Sequence, residues 1–440
     1  MFKLKKVLAV TLVLAMVLAL STACGSGGSA TTNSAAPAAG GAASGAASTA
    51  GDGKEILIGA IYPLTGDVAA IGQNIQKGIN FAVDEINGKG GINGSKIRII
   101  YGDSQGDPKV GMSEAERLIT QQNVVALLGA YQSGVTDVVA QVAEKYKTPL
   151  LTAISTADAL TSHGYKYFFR LAPTNMMFLR DMIQYLADIK QKKPEAEVKT
   201  IAVCADNTLL GQETLKWAKY WAEKNNIKVI ADVLYTKGAA DLSSEVLTLK
   251  KANPDALVVD NYISDGILLV KTMKEQGYAP KLMIGKATAY IDPSFIKNVG
   301  ASANGITTAS EFSVTSGKGA DVNAKFKEKY SVDMNGHSAE SYTATWILKT
   351  AIEQAASTDR TAIRDSLAKI KIEGSFPNGP KIILPYDTIQ FSEMEVDGVK
   401  HTNTNIGAKM TILQIQDGEY KTVWPFEIAG SAPVYPAPFK

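Results

Sequence analysis

The sequence predicts an α/β protein built as two doubly wound lobes in tandem. Two observations carry that prediction: short apolar runs alternate with helical patterns of three- and four-residue spacing, and the alternation ends near Pro173 and then begins again. Such a series makes largely parallel sheets covered on both faces by helices. Length is the third observation, because 440 residues exceed what one simple core holds and suit two cores of ordinary size.

The first run, 56–61, reads as a strand. Ile75, Ile79, Ala82, Val83 and Ile86 then recur on one face, with Gln76, Lys77, Asp84 and Glu85 on the other. That is an amphipathic helix, and it meets Asn87-Gly88-Lys89-Gly90-Gly91, where glycines can take the left-handed cap conformation. A strand over 97–101, a helix near 108–121, a strand over 124–128 ending at Gly129, a helix over 134–146 and a strand over 149–152 follow. After Pro173 the expected order is helix 176–189, strand 200–204, helix 211–225, strand 228–233, helix 241–251, strand 256–259, helix 265–276 and strand 281–284.

The N-terminus is of another kind. Lys3, Lys5 and Lys6 precede an apolar run from Val7 to Leu20, a length that suits an export leader better than a membrane span. The stretch Leu20-Ser21-Thr22-Ala23-Cys24-Gly25 resembles a bacterial lipoprotein signal, in which the cysteine becomes the acylated first residue; here the leucine stands one place further from the cysteine than usual. The resemblance implies a lipid anchor at Cys24 and a leader over 1–23, with an ordinary secretory leader as the alternative. Residues 24–53, nearly all Gly, Ala, Ser, Thr and Pro, have too little apolar bulk to order and read as a tether, with a reach on the order of 30 Å.

Removing Lys3, Lys5 and Lys6 with the leader leaves 42 of the 45 basic residues against 43 acidic ones. That balance argues against a nucleic-acid binder, which needs a basic excess to neutralise phosphates. Cys204 would be the one cysteine of the body, in the apolar run Ile201-Ala202-Val203-Cys204, so it forms no internal disulfide and reads as a small core residue.

In doubly wound sheets, ligands sit beyond the carboxyl ends of strands, where helix N-termini present free N–H groups. Gly129-Ala130-Tyr131-Gln132-Ser133 lies at such an end with Ser133 as an expected N-cap, and Ile154-Ser155-Thr156-Ala157-Asp158 repeats the arrangement after the next strand. Each hydroxyl alone is explained by capping; two on adjacent strand ends point to a shared ligand crevice. Two nucleotide-binding signatures are missing from the sequence. The first strand is followed by Tyr62-Pro63-Leu64-Thr65-Gly66 rather than Gly-x-Gly-x-x-Gly, and no P-loop occurs in the body. His163, His337 and His401 are isolated in sequence and read as surface or loop residues, so neither an enzyme, a metal nor a cofactor is expected.

Ile58-Gly59-Ala60-Ile61-Tyr62-Pro63-Leu64-Thr65-Gly66, then Gly72, Gly78, Ala82, Asp84-Glu85-Ile86-Asn87, Gly90-Gly91-Ile92-Asn93-Gly94, Asp107-Pro108 and, later, Tyr342-Thr343-Ala344 resemble the leucine/isoleucine/valine-binding family of solute-binding proteins over about 54–425. The resemblance implies the type I periplasmic-binding fold, two lobes joined by three crossing strands that shut over a solute. It implies 54–173 and 308–378 as the first lobe, 174–307 and 379–425 as the second, and 426–440 as a C-terminal tail. It also implies a monomer outside the cytoplasm, lipid-anchored in the cell envelope, that hands a small solute to an ABC permease.

By the same resemblance Tyr131, Gln132 and Ser133 meet a ligand carboxylate, Ile154, Ser155 and Thr156 meet its head group, and Tyr262 covers it. Leu210 and Ile71 stand where relatives carry aromatics. Lys286 stands where relatives carry the acid that pairs with a ligand ammonium. Either Asp260 or Asp265 supplies that acid, or the solute is a carboxylate or amide without an amino group, or Lys286 is a solvated residue at the lip. The implied function is uptake of an amino acid or related small carboxylate; a ligand-sensing module serving a separate membrane receptor is the alternative.

Overall fold

The computed structural model describes residues 55–313, 318–396 and 398–438; the leader, Cys24 and the tether lie outside them. The first lobe opens with β1 (Ile56–Tyr62), β2 (Ile97–Asp103), β3 (Ala126–Gly129), β4 (Leu150–Thr152) and β5 (Phe168–Arg170), linked by α1 (Ala69–Gly88), α2 (Pro108–Thr120), α3 (Ser133–Lys145) and α4 (Ala159–Ser162). The chain then crosses to β6 (Thr200–Asp206), β7 (Lys228–Tyr235), β8 (Ala256–Asp260), β9 (Met283–Gly285) and β10 (Thr307–Ser310). Around these pack α5 (Asn175–Asp188), α6 (Leu209–Lys224), α7 (Ser243–Ala252), α8 (Ile263–Glu275), α9 (Ala287–Tyr290) and α10 (Pro293–Val299). It returns through α11 (Ala320–Tyr330), α12 (Gly336–Ala355), α13 (Arg360–Lys369), β11 (Lys371–Glu373), β12 (Thr388–Val396) and β13 (Val399–Asn405), then crosses again to β14 (Thr411–Gln416) and β15 (Glu419–Trp424).

The sheet orders are β11-β12-β13-β5-β4-β3-β1-β2 and β15-β14-β10-β9-β8-β6-β7. From β1 to β5 and from β6 to β10 the pairing is parallel; antiparallel strands are added only at one side of each sheet. Each predicted strand and helix up to residue 285 is present, within a few residues at its ends.

The lobe boundaries expected near 308 and over 379–425 are corrected. β10 stays in the second sheet through Ser310, and β12 and β13 belong to the first. β13 runs parallel to β5 with Thr404 opposite Arg170. The Asn403 amide donates to the Tyr165 and Phe168 carbonyls at 3.2 and 3.1 Å, and that of Asn405 to the Leu171 carbonyl at 3.2 Å. These bonds satisfy the edge of β5, so the last crossover falls between Asn405 and Thr411. The tail is tied to the second lobe, with Val434 N–H donating to Gln414 Oε1 at 2.7 Å and Ala437 N–H to the Lys281 carbonyl at 2.8 Å.

Local chemistry explains the elements. Asp107 caps α2 by accepting from the N–H groups of Lys109 and Val110 at 2.7 and 3.0 Å, and Pro108 takes the first helical position, where no N–H is required. Cys204 is buried in β6, and burial pushes its thiol up to about 12, which makes it an inert core residue. Helix α12 is buried along nearly its whole length and lies against α1. A Cβ at Gly78 of α1 would stand 2.2 Å from the Ser338 carbonyl oxygen of α12. Gly78→Ala is therefore expected to lower stability by about 1–3 kcal/mol, measured by chemical denaturation; an unchanged midpoint would show that the helices can separate freely.

Candidate functional site

Beyond the carboxyl ends of β3, β4, β8, β9 and β10, a small cavity lies between the lobes. All of its lining residues are buried, so the lobes are shut upon it. The first lobe contributes Tyr131, Ser133, Ile154, Ser155, Thr156 and His337; the second contributes Phe178, Leu210, Tyr262, Lys286 and Thr288; Glu311 enters from the crossover after β10.

Two strand-end loops build the first wall. Helix α3 has Gln132, not Ser133, as its N-cap residue, and no side chain caps it. Ser133 is instead the first helical residue, and its hydroxyl accepts from Ala157 N–H at 3.3 Å, binding the second loop to the first. Ser155 Oγ reaches the carbonyls of Ala130 and Tyr131, both at 3.0 Å, and Thr136 Oγ1 at 2.5 Å. Ser155 thus positions the Tyr131 turn. Arg170, buried in β5, donates to the Thr156 and Ala157 carbonyls at 3.2 and 2.7 Å and to Thr161 Oγ1 at 2.6 Å. The side chain of Arg170 therefore fixes the Thr156 loop from behind.

Lys286, at the end of β9, is 2% exposed and is not a lip residue. Its ammonium donates to Thr156 Oγ1 across the lobes at 2.7 Å, lies 3.6 Å from Asp260 Oδ2, and stands 5.2 Å from the Phe178 ring centroid. Burial pushes its pKa down, opposed by Asp260 and Glu311. Asp260 is held by the hydroxyls of Thr214 and Thr288 at 2.6 and 2.8 Å, so it serves as the counter-ion of Lys286 and lies behind the lining.

The rings of Tyr131 and Tyr262 meet edge to face with centroids 5.8 Å apart, and Tyr131 meets His337 at 5.2 Å. Burial drives His337 down to about 3, so the imidazole is neutral. The Tyr131 hydroxyl and His337 Nδ1 have no partner among the described residues.

Eight of the expected residues thus meet at one cavity: Tyr131, Ser133, Ile154, Ser155, Thr156, Leu210, Tyr262 and Lys286. Gln132, Asp260 and Ile71 do not line it. The Gln132 side chain lies against Gly106, where a Cβ would stand 2.6 Å from Gln132 Nε2, and Ile71 is in the first lobe's core. Asp265 faces the Tyr235 hydroxyl and Gly238 N–H instead. The expectation that the histidines are surface residues is corrected for two of them, since His337 and His401 are buried. Phe178, Thr288, Glu311 and His337 were not anticipated as lining. Glu311 had a usable signal, because it directly follows a strand, as does Lys286.

The second lobe also grips the first outside the cavity. Glu213 of α6 accepts from the N–H groups of Asp158 and Ala159 at 2.5 and 3.0 Å. Asn74 of α1 donates to Asp292 at 3.3 Å.

Residues 55–404 match the family model described as periplasmic binding protein. The chain belongs to the periplasmic binding protein family. As such it is a two-lobed type I binding protein of an extracytoplasmic family, and among its described residues no helix is long and apolar enough to cross a membrane. Leu/Ile/Val-binding protein homolog 7 of Brucella suis is 28% identical over 385 residues, covering 84% of this chain and 92% of that protein. Homolog 8 of Brucella abortus is 28% identical over 383 residues, covering 84% and 91%. The branched-chain amino acid transporter substrate-binding protein LivJ of Streptococcus pneumoniae, solved with isoleucine, superimposes with a TM-score of 0.71 at 24% identity, covering 83% of this chain and 98% of its own. An ABC-transporter solute-binding protein of Rhodopseudomonas palustris, solved with 3,4-dihydroxybenzoic acid, gives 0.70 at 18% identity, covering 88% and 98%. Both share the fold of this binding protein.

Proposed function

We propose that this periplasmic binding protein captures an amino acid or related small carboxylate in the interlobe cavity and delivers it to an ABC permease, working as a monomer held to the membrane by a lipid on Cys24. The observation that carries the ligand class is the donor chemistry of the first wall. Ser133 Oγ already accepts from Ala157 N–H and Thr156 Oγ1 already accepts from Lys286, so each hydroxyl has its own proton left to give. The N–H groups of Ser133 and Gly134, which open α3, have no partner within the helix, and they carry the positive end of its dipole. Several donors facing one small space suit a carboxylate. Isoleucine and 3,4-dihydroxybenzoic acid, bound by the two structural neighbours, are both small carboxylic acids and support this reading.

Closure follows from differential binding, because a solute touching Thr156 and Lys286 together meets both lobes only when they are shut. Mass spectrometry of whatever the purified protein releases on denaturation identifies the solute. The double variant Ser133→Ala/Thr156→Ala is then expected to bind it roughly 100-fold more weakly, two charge-assisted hydrogen bonds having been removed. Equal affinities by calorimetry would move the carboxylate elsewhere.

A further inference from the structure

Among the described residues that line the cavity, Glu311 is the single carboxylate. Glu311 is 2% exposed, and its Oε2 has no hydrogen-bond donor among the described residues. Oε2 lies beside the start of α12, where a Cβ on Gly336 would stand 3.4 Å from it. The Lys286 ammonium is ion-paired with Asp260 at 3.6 Å and acts on Glu311 through its charge, without an ion-pair contact. A buried, unpartnered carboxylate oxygen is costly unless something fills its lone pairs.

We infer that Glu311 is the specificity-determining acceptor of this site, taking the ammonium of an amino carboxylate whose carboxylate end lies at Ser133 and Thr156. The inference rests on the carboxylate reading above and narrows it. An ammonium would hold Glu311 ionised and pair with it, whereas a solute with only an anionic end would drive Glu311 to its neutral form and gain no ion pair. The neighbouring groups leave Glu311 free to accept. Glu340 of α12 lies beside it, and burial, followed by the Glu311 charge, pushes the Glu340 carboxyl well up. His337 on the same helix is neutral, and burial raises the Glu311 carboxyl to about 7, opposed by its own backbone N–H and by the Lys286 charge.

The test uses the mature protein freed of bound solute by unfolding and refolding. Thermal shift is read for the common L-amino acids, their des-amino counterparts such as 4-methylpentanoate for leucine and 3-phenylpropanoate for phenylalanine, and benzoates; affinities of the best pair follow by calorimetry. An amino carboxylate is expected to bind at least about 30-fold more tightly than its des-amino counterpart, and Glu311→Gln to abolish that preference. Should the variant fail to fold, the wild-type ratio decides alone. Tightest binding by a plain carboxylate, or an amino preference retained in Glu311→Gln, overturns the Glu311 assignment and leaves the carboxylate reading standing. No shift with any member of the panel overturns both.

Discussion

Lys286→Met is expected to lower the free energy of unfolding by about 3–5 kcal/mol, since removing one member of a buried ion pair strands the other. Asp260 would keep the hydroxyls of Thr214 and Thr288 but lose the cation whose nitrogen lies 3.6 Å away. Methionine retains most of the lysine stem and its packing on Phe178, so the loss reports charge rather than volume. The double variant Lys286→Met/Asp260→Asn is expected to recover much of it, because a neutral amide needs no counter-ion. Urea denaturation of the solute-free protein gives both numbers. A loss under about 1 kcal/mol for the single variant would mean that water reaches Asp260, and the pair would then not be a structural element of the cavity.

The strands and helices were legible because their burial is periodic. The stripe from Ile75 to Ile86 lies against the first lobe's core, and the apolar runs over 201–204 and 256–259 are fully covered strands. The cavity's place was legible for a topological reason: Tyr131 and Thr156 follow adjacent parallel strands, and such strands end on the same side. Which of neighbouring side chains faces inward was not legible. Gln132 turns to Gly106 while Tyr131 and Ser133 face the cavity, a choice made by the turn between β3 and α3. Nor was the fate of 379–405, because an antiparallel hairpin has the same pattern on either lobe's sheet and only its pairing with β5 decides. Glu311 and His337 come from segments more than 150 residues after Thr156 in the chain, and no local motif joins them to it; only the closed fold does.

Glu213→Ala is expected to weaken solute binding by roughly 5- to 150-fold without touching the cavity, the cost of two hydrogen bonds that form only when the lobes meet. Glu213 is not among the lining residues; it grips the N–H groups of Asp158 and Ala159, two residues beyond Thr156 in a loop that Arg170 holds rigid. Apparent affinity scales with the population of the competent conformation, so an interlobe clasp outside the cavity raises affinity as effectively as a contact inside it. X-ray scattering of the solute-free variant is expected to give a larger radius of gyration than the wild type, with saturating solute restoring equality. The clasp also carries a pH signature. In the shut form, burial and the neighbouring Asp158 raise the Glu213 carboxyl above its ordinary value near 4.5, while with the lobes apart it meets water. A group whose pKa is higher in the shut form takes up a proton on closing, so its contribution is complete below about 4.5 and fades as pH rises through the raised value. Binding measured from pH 5 to 9 is therefore expected to weaken with rising pH, and Glu213→Gln to flatten that slope, since glutamine does not titrate; parallel profiles for variant and wild type would exclude Glu213 as the clasp.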